Sequence, residues 1–176
     1  MRTFFISGIS KMKISVAFYK GKGNWKNKII RWWTKSPYSH AELVLPNEIT
    51  WVSISPLLTG KVSARSIYQV ENLNDWDFLT FELSWREPVR KYQIDQLHNF
   101  INETNGARYD WCGMIFSQLF PYLIKHRDRW YCSEWIAHAL VKARIVMWDR
   151  LHIYRTPNLS PGKLYEILKD YQPEYK

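Results

Sequence analysis

Apolar and polar residues alternate in the first half of the chain, which is the pattern of β-strands that bury one face. In residues 13–19, Ile14, Val16 and Phe18 recur at every second position. The runs with this pattern are, in chain order, "KISVAFY" (13–19), "SHAELVL" (39–45), "ITWVSIS" (49–55), "KVSARSIYQV" (61–70) and "DFLTFELSW" (77–85). Because only "PNE" separates the second run from the third, these two runs predict a β-hairpin.

Helical spacing replaces the alternation from about residue 88 onward. The first helix of this half has an apolar face made of Ile94, Leu97, Phe100 and Ile101. Gly106 is able to end that helix. Two further helices are predicted in "WCGMIFSQLF" (111–120) and "CSEWIAHALVKA" (132–143). A terminal helix follows in "SPGKLYEILKDY", with Ser160 at its cap and Pro161 at its first position.

One short basic helix is predicted among the strands, in "GKGNWKNKIIRWWTK" (21–35). Asn24 is placed to cap it, and Trp25, Ile29 and Trp32 fall on one side. Apolar side chains mixed with lysines suit the surface of an anionic membrane. In the alternative interpretation, the tryptophans pack inward and only the lysines meet solvent.

The order of strands first and helices second indicates an α+β domain, with helices packed on one side of an antiparallel sheet. The sequence has no internal repeat, low-complexity tract or Ser/Gly-rich linker, so we expect a single domain over residues 1–176. Met12 stands directly before the first strand. Residues 1–12 are therefore predicted to be a dispensable extension.

The chain carries a formal net charge of +9, from 25 Lys and Arg against 16 Asp and Glu. We expect this charge to be spread along the chain and to favour an anionic surface or macromolecule as a partner. Two cysteines, Cys112 and Cys132, form neither a disulfide framework nor a CxxC pair, which indicates a reducing, cytoplasmic setting. No signal peptide and no apolar run of membrane-spanning length are recognised.

Cys132 lies where the basic loop of "DRWYCSEWIAHAL" (128–140) becomes a helix. The free backbone N–H groups and the dipole of a helix N-terminus stabilise a thiolate. Cationic side chains close in sequence would stabilise the thiolate further; they are Lys125, Arg127 and Arg129. Cys132 is therefore a candidate nucleophile, and the alternative is a buried cysteine that only packs the helix.

A thiol nucleophile needs a base, and His40 is the histidine with the most suitable surroundings. It begins a strand and alternates with apolar residues, so His40 and Glu42 share the face away from the core. If Asn47 and Glu48 form a two-residue turn, His40 lies opposite Ser55 and Glu42 lies opposite Ser53. A three-residue loop would instead bring an apolar residue opposite. The alternative role is a strand-edge histidine that bonds only to backbone.

The other four histidines have less suitable positions. His98 is expected on the solvated face of its helix, and His126 lies in a basic loop. His138 is six residues beyond Cys132 on the same helix, too far around it to reach the thiol. His152 has no distinctive neighbours.

The segments "SPYSHAELVL" and "RWYCSEWIAHAL" together resemble the circularly permuted papain-like (NlpC-type) cysteine hydrolases. That group includes the YiiX-type amidases and, more distantly, the lecithin:retinol acyltransferase class. In its members the histidine strand precedes the cysteine helix, as His40 precedes Cys132 here. Residues 13–143 share the resemblance, and "AFYKGKGNWKNKIIRWWTKSPYSHAELVL" is similar to uncharacterised phage-encoded members.

The resemblance implies that Cys132 is the nucleophile and His40 the general base of an amide or peptide hydrolase. It points to Ser53 as the third, orienting group, where many relatives have Glu or His, and Glu42 is the charged substitute. The backbone N–H of Cys132 would stabilise the oxyanion, with Tyr109 and Tyr131 as further candidates. No cofactor is implied, and the protein is expected to be a monomer.

Two other functions remain open from the sequence. A lipid-directed acyltransferase or phospholipase would use the basic aromatic helix at a membrane surface. A catalytically silent, phage-type binding module would use the same fold to hold a host protein or a nucleic acid, although no nucleic-acid-binding motif is present. No metal site is predicted, because His, Cys and carboxylates do not recur at ligand spacing.

Overall fold

The computed structural model describes residues 12–55, 60–110, 129–147 and 159–171. In these ranges the chain forms a five-stranded antiparallel sheet and four α-helices, so the predicted α+β class is confirmed. The strands of the sheet are β1 (Lys13–Tyr19), β2 (His40–Val44), β3 (Thr50–Ile54), β4 (Val62–Ser66) and β5 (Trp76–Glu82). The helices are α1 (Trp25–Thr34), α2 (Glu87–Glu103), α3 (Cys132–Lys142) and α4 (Pro161–Tyr171). Two short strands, β6 (Arg108–Tyr109) and β7 (Arg129–Trp130), pair in parallel.

Two sequence predictions lie outside the described residues. They are the helix over residues 111–120 and, except for Met12, the extension over residues 1–12. A third prediction is wrong in its extent, because the strand predicted over residues 61–70 ends at Ser66. Ser66 and Gln69 form a capping box that turns the chain into a 3₁₀ helix over Ile67–Gln69.

The strands lie in the order β4-β3-β2-β1-β5, so the chain must return from one edge of the sheet to the other between β4 and β5. Ile67 and Val70 belong to this connection, and they pack on the face of the sheet that carries Trp51 and Trp76. Helices α2, α3 and α4 cover the opposite face, where α3 contacts β2 and β3. The sheet is therefore covered on parts of both faces.

The β2–β3 hairpin has the register predicted from the sequence. Leu43 pairs with Val52 and Val44 pairs with Trp51. The same register brings Glu42 level with Ser53. The Leu45 N–H donates to the Thr50 carbonyl at 2.9 Å, which closes a loop over residues 46–49. Because this loop has an even number of residues, the polar side chains of both strands share one face.

Helix α3 is the most buried helix of the described chain. Trp135, Ile136 and Leu140 have no measurable exposure, as the helical spacing predicts. The Trp135 Nε1–H donates to the Thr104 Oγ1 at 2.9 Å, so α3 is also bonded to the end of α2. This packing holds the first turn of α3, which begins at Cys132, against the sheet.

No helix in the described ranges is both long and apolar enough to cross a bilayer.

The start of α4 ties the first turn of α3 to the loop before β2. Ser160 caps α4 as predicted, because its Oγ accepts from the Lys163 N–H at 3.2 Å. The Ser133 hydroxyl donates to the Leu159 carbonyl. Gly162 lies against the side chain of Ser36, and a Cβ at this position would overlap it. The segment around residue 160 thus contacts Ser36, four residues before His40, and Ser133, directly after Cys132.

Gly162→Ala is expected to lower the free energy of unfolding by about 1–3 kcal/mol, because the added methyl group collides with Ser36. Alanine has a higher helix propensity than glycine, so a loss of stability would have to come from the contact with Ser36. Chemical denaturation measures the effect. Against a Ser36→Gly background the substitution should cost little, and Lys163→Ala, which changes an exposed neighbour, is the control. A neutral Gly162→Ala would contradict this close packing.

Candidate active site

His40 lies at the first position of β2, opposite Tyr19 of β1. Its Nε2 is 3.2 Å from the Glu42 Oε1 and 3.4 Å from the Ser53 Oγ. The two residues considered for the orienting role therefore contact the same nitrogen of the imidazole, and the Glu42 carboxylate is the nearer. Since residues two apart on a strand share a face, this contact follows directly from the β2 pattern.

Cys132 is the first residue of α3, and its side chain hydrogen-bonds the imidazole of His40. Nε2 is the ring nitrogen that faces Glu42. The fold thus brings together Cys132, His40, Glu42 and Ser53, which the sequence analysis had selected. The imidazole contacts both a thiol and a carboxylate. Only 3% of Cys132 and 13% of the His40 side chain are exposed.

The protonation of His40 depends on these neighbours. Burial alone would lower its pKa, but Cys132 and, to a smaller extent, Glu42 outweigh burial and raise the pKa of His40 to about 10. The imidazole is then protonated at neutral pH. A protonated imidazole in contact with a carboxylate favours the ionised form of that carboxylate.

Glu42 is buried, with 1% of its side chain exposed, and it is paired on two sides. Arg65 of β4 donates from Nε to the Glu42 Oε2 and from Nη2 to the Oε1, both at 2.9 Å. Burial raises the pKa of this carboxyl group, but His40 and Arg65 outweigh burial and hold the pKa below its ordinary value. Glu42 therefore stays ionised between two cationic groups.

Arg65 is a site residue that the sequence analysis missed. Its guanidinium carbon lies 5.6 Å from the centre of the Trp51 ring and 5.5 Å from that of Trp76. The two indoles are themselves in edge-to-face contact, with centroids 5.1 Å apart. Cation–π contacts of this kind and the paired hydrogen bonds to Glu42 restrict the guanidinium to one position.

The two tyrosines proposed near the oxyanion are both buried. Burial, followed by the negative charges around it, raises the pKa of Tyr109 and of Tyr131, so both phenols keep their protons. After burial, Cys132 is the neighbour with the largest effect on the pKa of Tyr109. The Tyr131 hydroxyl instead takes a hydrogen bond from the backbone of Leu159. Cys132 is among the groups that raise the pKa of both phenols, so both remain candidate O–H donors near the sulfur.

The remaining histidines and the second cysteine do not join this cluster within the described residues. His98 is exposed on α2, as expected. The ring of His138 packs against Trp130 at 4.8 Å. His126, His152 and Cys112 lie outside the described residues. In the described ranges no three His, Cys, Asp or Glu side chains are grouped as metal ligands.

Comparisons with known proteins found no relative of the chain. The chain matches no protein-family model, no curated protein and no solved structure.

Proposed function

We propose that the protein is a cysteine hydrolase of amide or peptide bonds, with Cys132 as nucleophile and His40 as general base and acid. The observation that carries this proposal is the position of one imidazole, 13% exposed, which contacts the Cys132 thiol and the Glu42 carboxylate at the same time. A cysteine that only packs a helix does not require a histidine partner. We also propose the permuted papain-like arrangement, in which the histidine strand precedes the cysteine helix.

In the first half of the reaction, the Cys132 sulfur attacks the carbonyl carbon of the substrate and forms a tetrahedral oxyanion. The backbone N–H groups at the start of α3, and the Tyr109 and Tyr131 hydroxyls, are the candidate donors to that oxyanion. The C–N bond then breaks, the proton on His40 passes to the leaving amine, and a thioester to Cys132 remains. In the second half, water gives a proton to His40 and attacks the thioester, which releases the acid and the thiolate.

Glu42 and Arg65 act through His40 and are positioning residues. The Glu42 carboxylate accepts the Nε2–H and so orients the imidazole. Arg65 holds the carboxylate in that place through two hydrogen bonds. Ser53, at 3.4 Å from Nε2, supplies a weaker second contact.

Alkylation of Cys132 by iodoacetamide tests the proposal without a known substrate. At mildly acidic pH, where a free thiol is almost wholly protonated, we expect Cys132 to react about tenfold faster in the wild type than in His40→Gln. The gain in thiolate is partly offset because a stabilised thiolate is a weaker nucleophile. Mass spectrometry of the Cys132 peptide gives the rate, and the Cys112 peptide, expected to react slowly, is the internal reference.

His98→Gln is the matched control, because it removes an exposed histidine far from the thiol in the chain. It should leave the rate of Cys132 labelling unchanged, and circular dichroism checks that each variant is folded. Equal labelling of the wild type and His40→Gln would mean that Cys132 is only a packing residue. The binding-module function would then take the place of the hydrolase.

A further inference from the structure

Helix α1 presents its apolar side chains to solvent. With about 100° between successive residues, Trp25, Ile29 and Trp32 form one strip along the helix. They are 65%, 50% and 76% exposed, and Trp33 beside them is 40% exposed. The face towards the protein is instead centred on Asn27 and Ile30, which are buried. The interpretation in which the tryptophans pack inward is therefore wrong.

The net charge of +9 is carried by the first 41 residues of the sequence, the part of the chain that includes this helix. Residues 1–41 hold nine Lys and Arg and no Asp or Glu, whereas residues 42–176 hold 16 of each kind. The expectation that the charge is spread along the chain is thus also wrong. Lys22, Lys28 and Lys35 are exposed. Arg31 instead donates to the carbonyls of Gly21 and Lys22, which holds the loop before the helix.

Helix α1 is attached to the sheet beside His40. The chain leaves the sheet after Tyr19 and re-enters it at His40, and these two residues are partners across β1 and β2. The Ser39 N–H donates to the Tyr19 carbonyl at 3.0 Å, which closes the excursion. The exposed aromatic strip therefore belongs to the segment that is inserted at the same end of the sheet as the candidate active site.

We propose that the exposed strip of α1 binds the surface of an anionic lipid bilayer. Indole rings favour the boundary between lipid headgroups and acyl chains. Ile29 adds an apolar contact that suits lipid, whereas an aliphatic side chain cannot stack on the bases of a nucleic acid. Lys28 and Lys35 belong to the same helix and its cap, where they can pair with lipid phosphates. Residues 1–41 contain no Asp or Glu, so this part of the sequence carries no carboxylate that would repel the phosphates. A strip on a convex helix also suits a membrane better than the groove that single-stranded nucleic acids require.

Sedimentation with vesicles tests this proposal on the full chain. We expect the protein to bind vesicles of phosphatidylcholine and phosphatidylglycerol in equal parts, and to bind phosphatidylcholine alone much more weakly. Trp25→Ala with Trp32→Ala should lower the partition coefficient about tenfold or more. Lys28→Gln with Lys35→Asn should lower it about fivefold for each lysine removed, and added salt should weaken wild-type binding.

Matched controls separate the strip from general effects of charge and aromaticity. Trp85→Ala removes a tryptophan that is 73% exposed at the start of α2, and Lys91→Gln with Lys163→Gln removes two exposed lysines elsewhere. Each should bind vesicles within about twofold of the wild type. Cys132→Ala should also bind like the wild type, so failure of the proposed hydrolase would not affect this result.

Three outcomes would overturn the proposal. One is unchanged vesicle binding by the Trp25→Ala, Trp32→Ala variant. Another is the absence of vesicle binding together with salt-dependent binding to a single-stranded oligonucleotide, which would assign the basic segment to nucleic acid. The last is self-association, measured by analytical ultracentrifugation, that the tryptophan substitutions abolish while no vesicle binding is seen. That result would assign the strip to a second copy of the chain.

Discussion

Arg65→Ala is expected to lower the free energy of unfolding by about 3–5 kcal/mol at neutral pH, the largest loss among the substitutions considered. The substitution leaves the Glu42 carboxylate buried without the cation that donates two hydrogen bonds to it. It also removes the contacts of the guanidinium with Trp51 and Trp76. Chemical denaturation followed by tryptophan fluorescence and circular dichroism measures the loss.

Other substitutions distinguish a buried ion pair from a general effect of losing an arginine. Arg86→Ala removes an exposed guanidinium that also stacks on a tryptophan, Trp85, and should cost less than about 1 kcal/mol. Arg65→Met together with Glu42→Gln should recover part of the loss, because no buried charge is left unpaired. If Arg65→Ala costs no more than Arg86→Ala, the ion pair does not stabilise the fold.

The loss of stability caused by Arg65→Ala should become smaller as the pH falls. The pKa of Glu42 in the fold is held below its ordinary value of 4.5. A carboxyl group of this kind contributes stability that is present above pH 4.5 and is lost as the pH falls through its lowered pKa. The difference between the wild type and Arg65→Ala is therefore expected to shrink on acidification.

Cys132→Ala is expected to shift the pKa of His40 from about 10 towards its ordinary value of 6.5 or below. Cys132 is the group that raises this pKa most, and burial, which lowers it, remains after the substitution. Long-range ¹H–¹⁵N correlation spectra of the imidazole nitrogens measure the protonation state, with His40→Gln used to assign the signals. An unchanged pKa in Cys132→Ala would mean that Glu42 alone holds the proton.

The raised pKa of His40 also predicts how the stability of the fold changes at alkaline pH. Because the pKa of His40 is raised in the fold, its own contribution to stability is complete below pH 6.5 and is lost as the pH rises through about 10. We therefore expect the wild type to lose stability as the pH approaches 10 and Cys132→Ala to lose less. Denaturation curves collected across that range check the sign.

The hairpin register could be predicted, and so could the helices of the described ranges and the strands of the five-stranded sheet apart from the extent of β4, because each depends on residues that are close in sequence. The period-2 pattern of β2 and the even loop before Thr50 are enough to bring Glu42 level with Ser53. The pairing of Cys132 with His40 was expected from the order of two motifs in a resembling family. Spacing alone did not predict it, because 92 positions separate the two residues.

Arg65 could not be found in the same way. Its contact with Glu42 depends on the pairing of β3 with β4, in which Trp51 lies opposite Arg65. Seven residues, 55–61, connect these two strands, and a loop of that length does not specify a register. The alternation in β4 indicates only that Arg65 shares a face with Ser63.

The exposure of α1 was also undetermined by the pattern. An amphipathic helix has an apolar and a polar face, and periodicity does not say which face meets the protein. Asn27 and Ile30 are the buried residues of the helix, and Arg31 in its last turn bonds to the loop that precedes it. The apolar strip was then left outside.

The pairing of Tyr19 with His40 makes the intervening segment an enlarged hairpin connection. Two strands whose last and first residues are already partners need only a tight turn to join them. The helix between them is consequently an insertion in the topological sense, joined to the sheet at two adjacent points. Sequence change along its outer strip can accumulate without altering the β1–β2 register that orients the imidazole. Such an arrangement would allow the proposed membrane contact and the proposed chemistry to evolve separately.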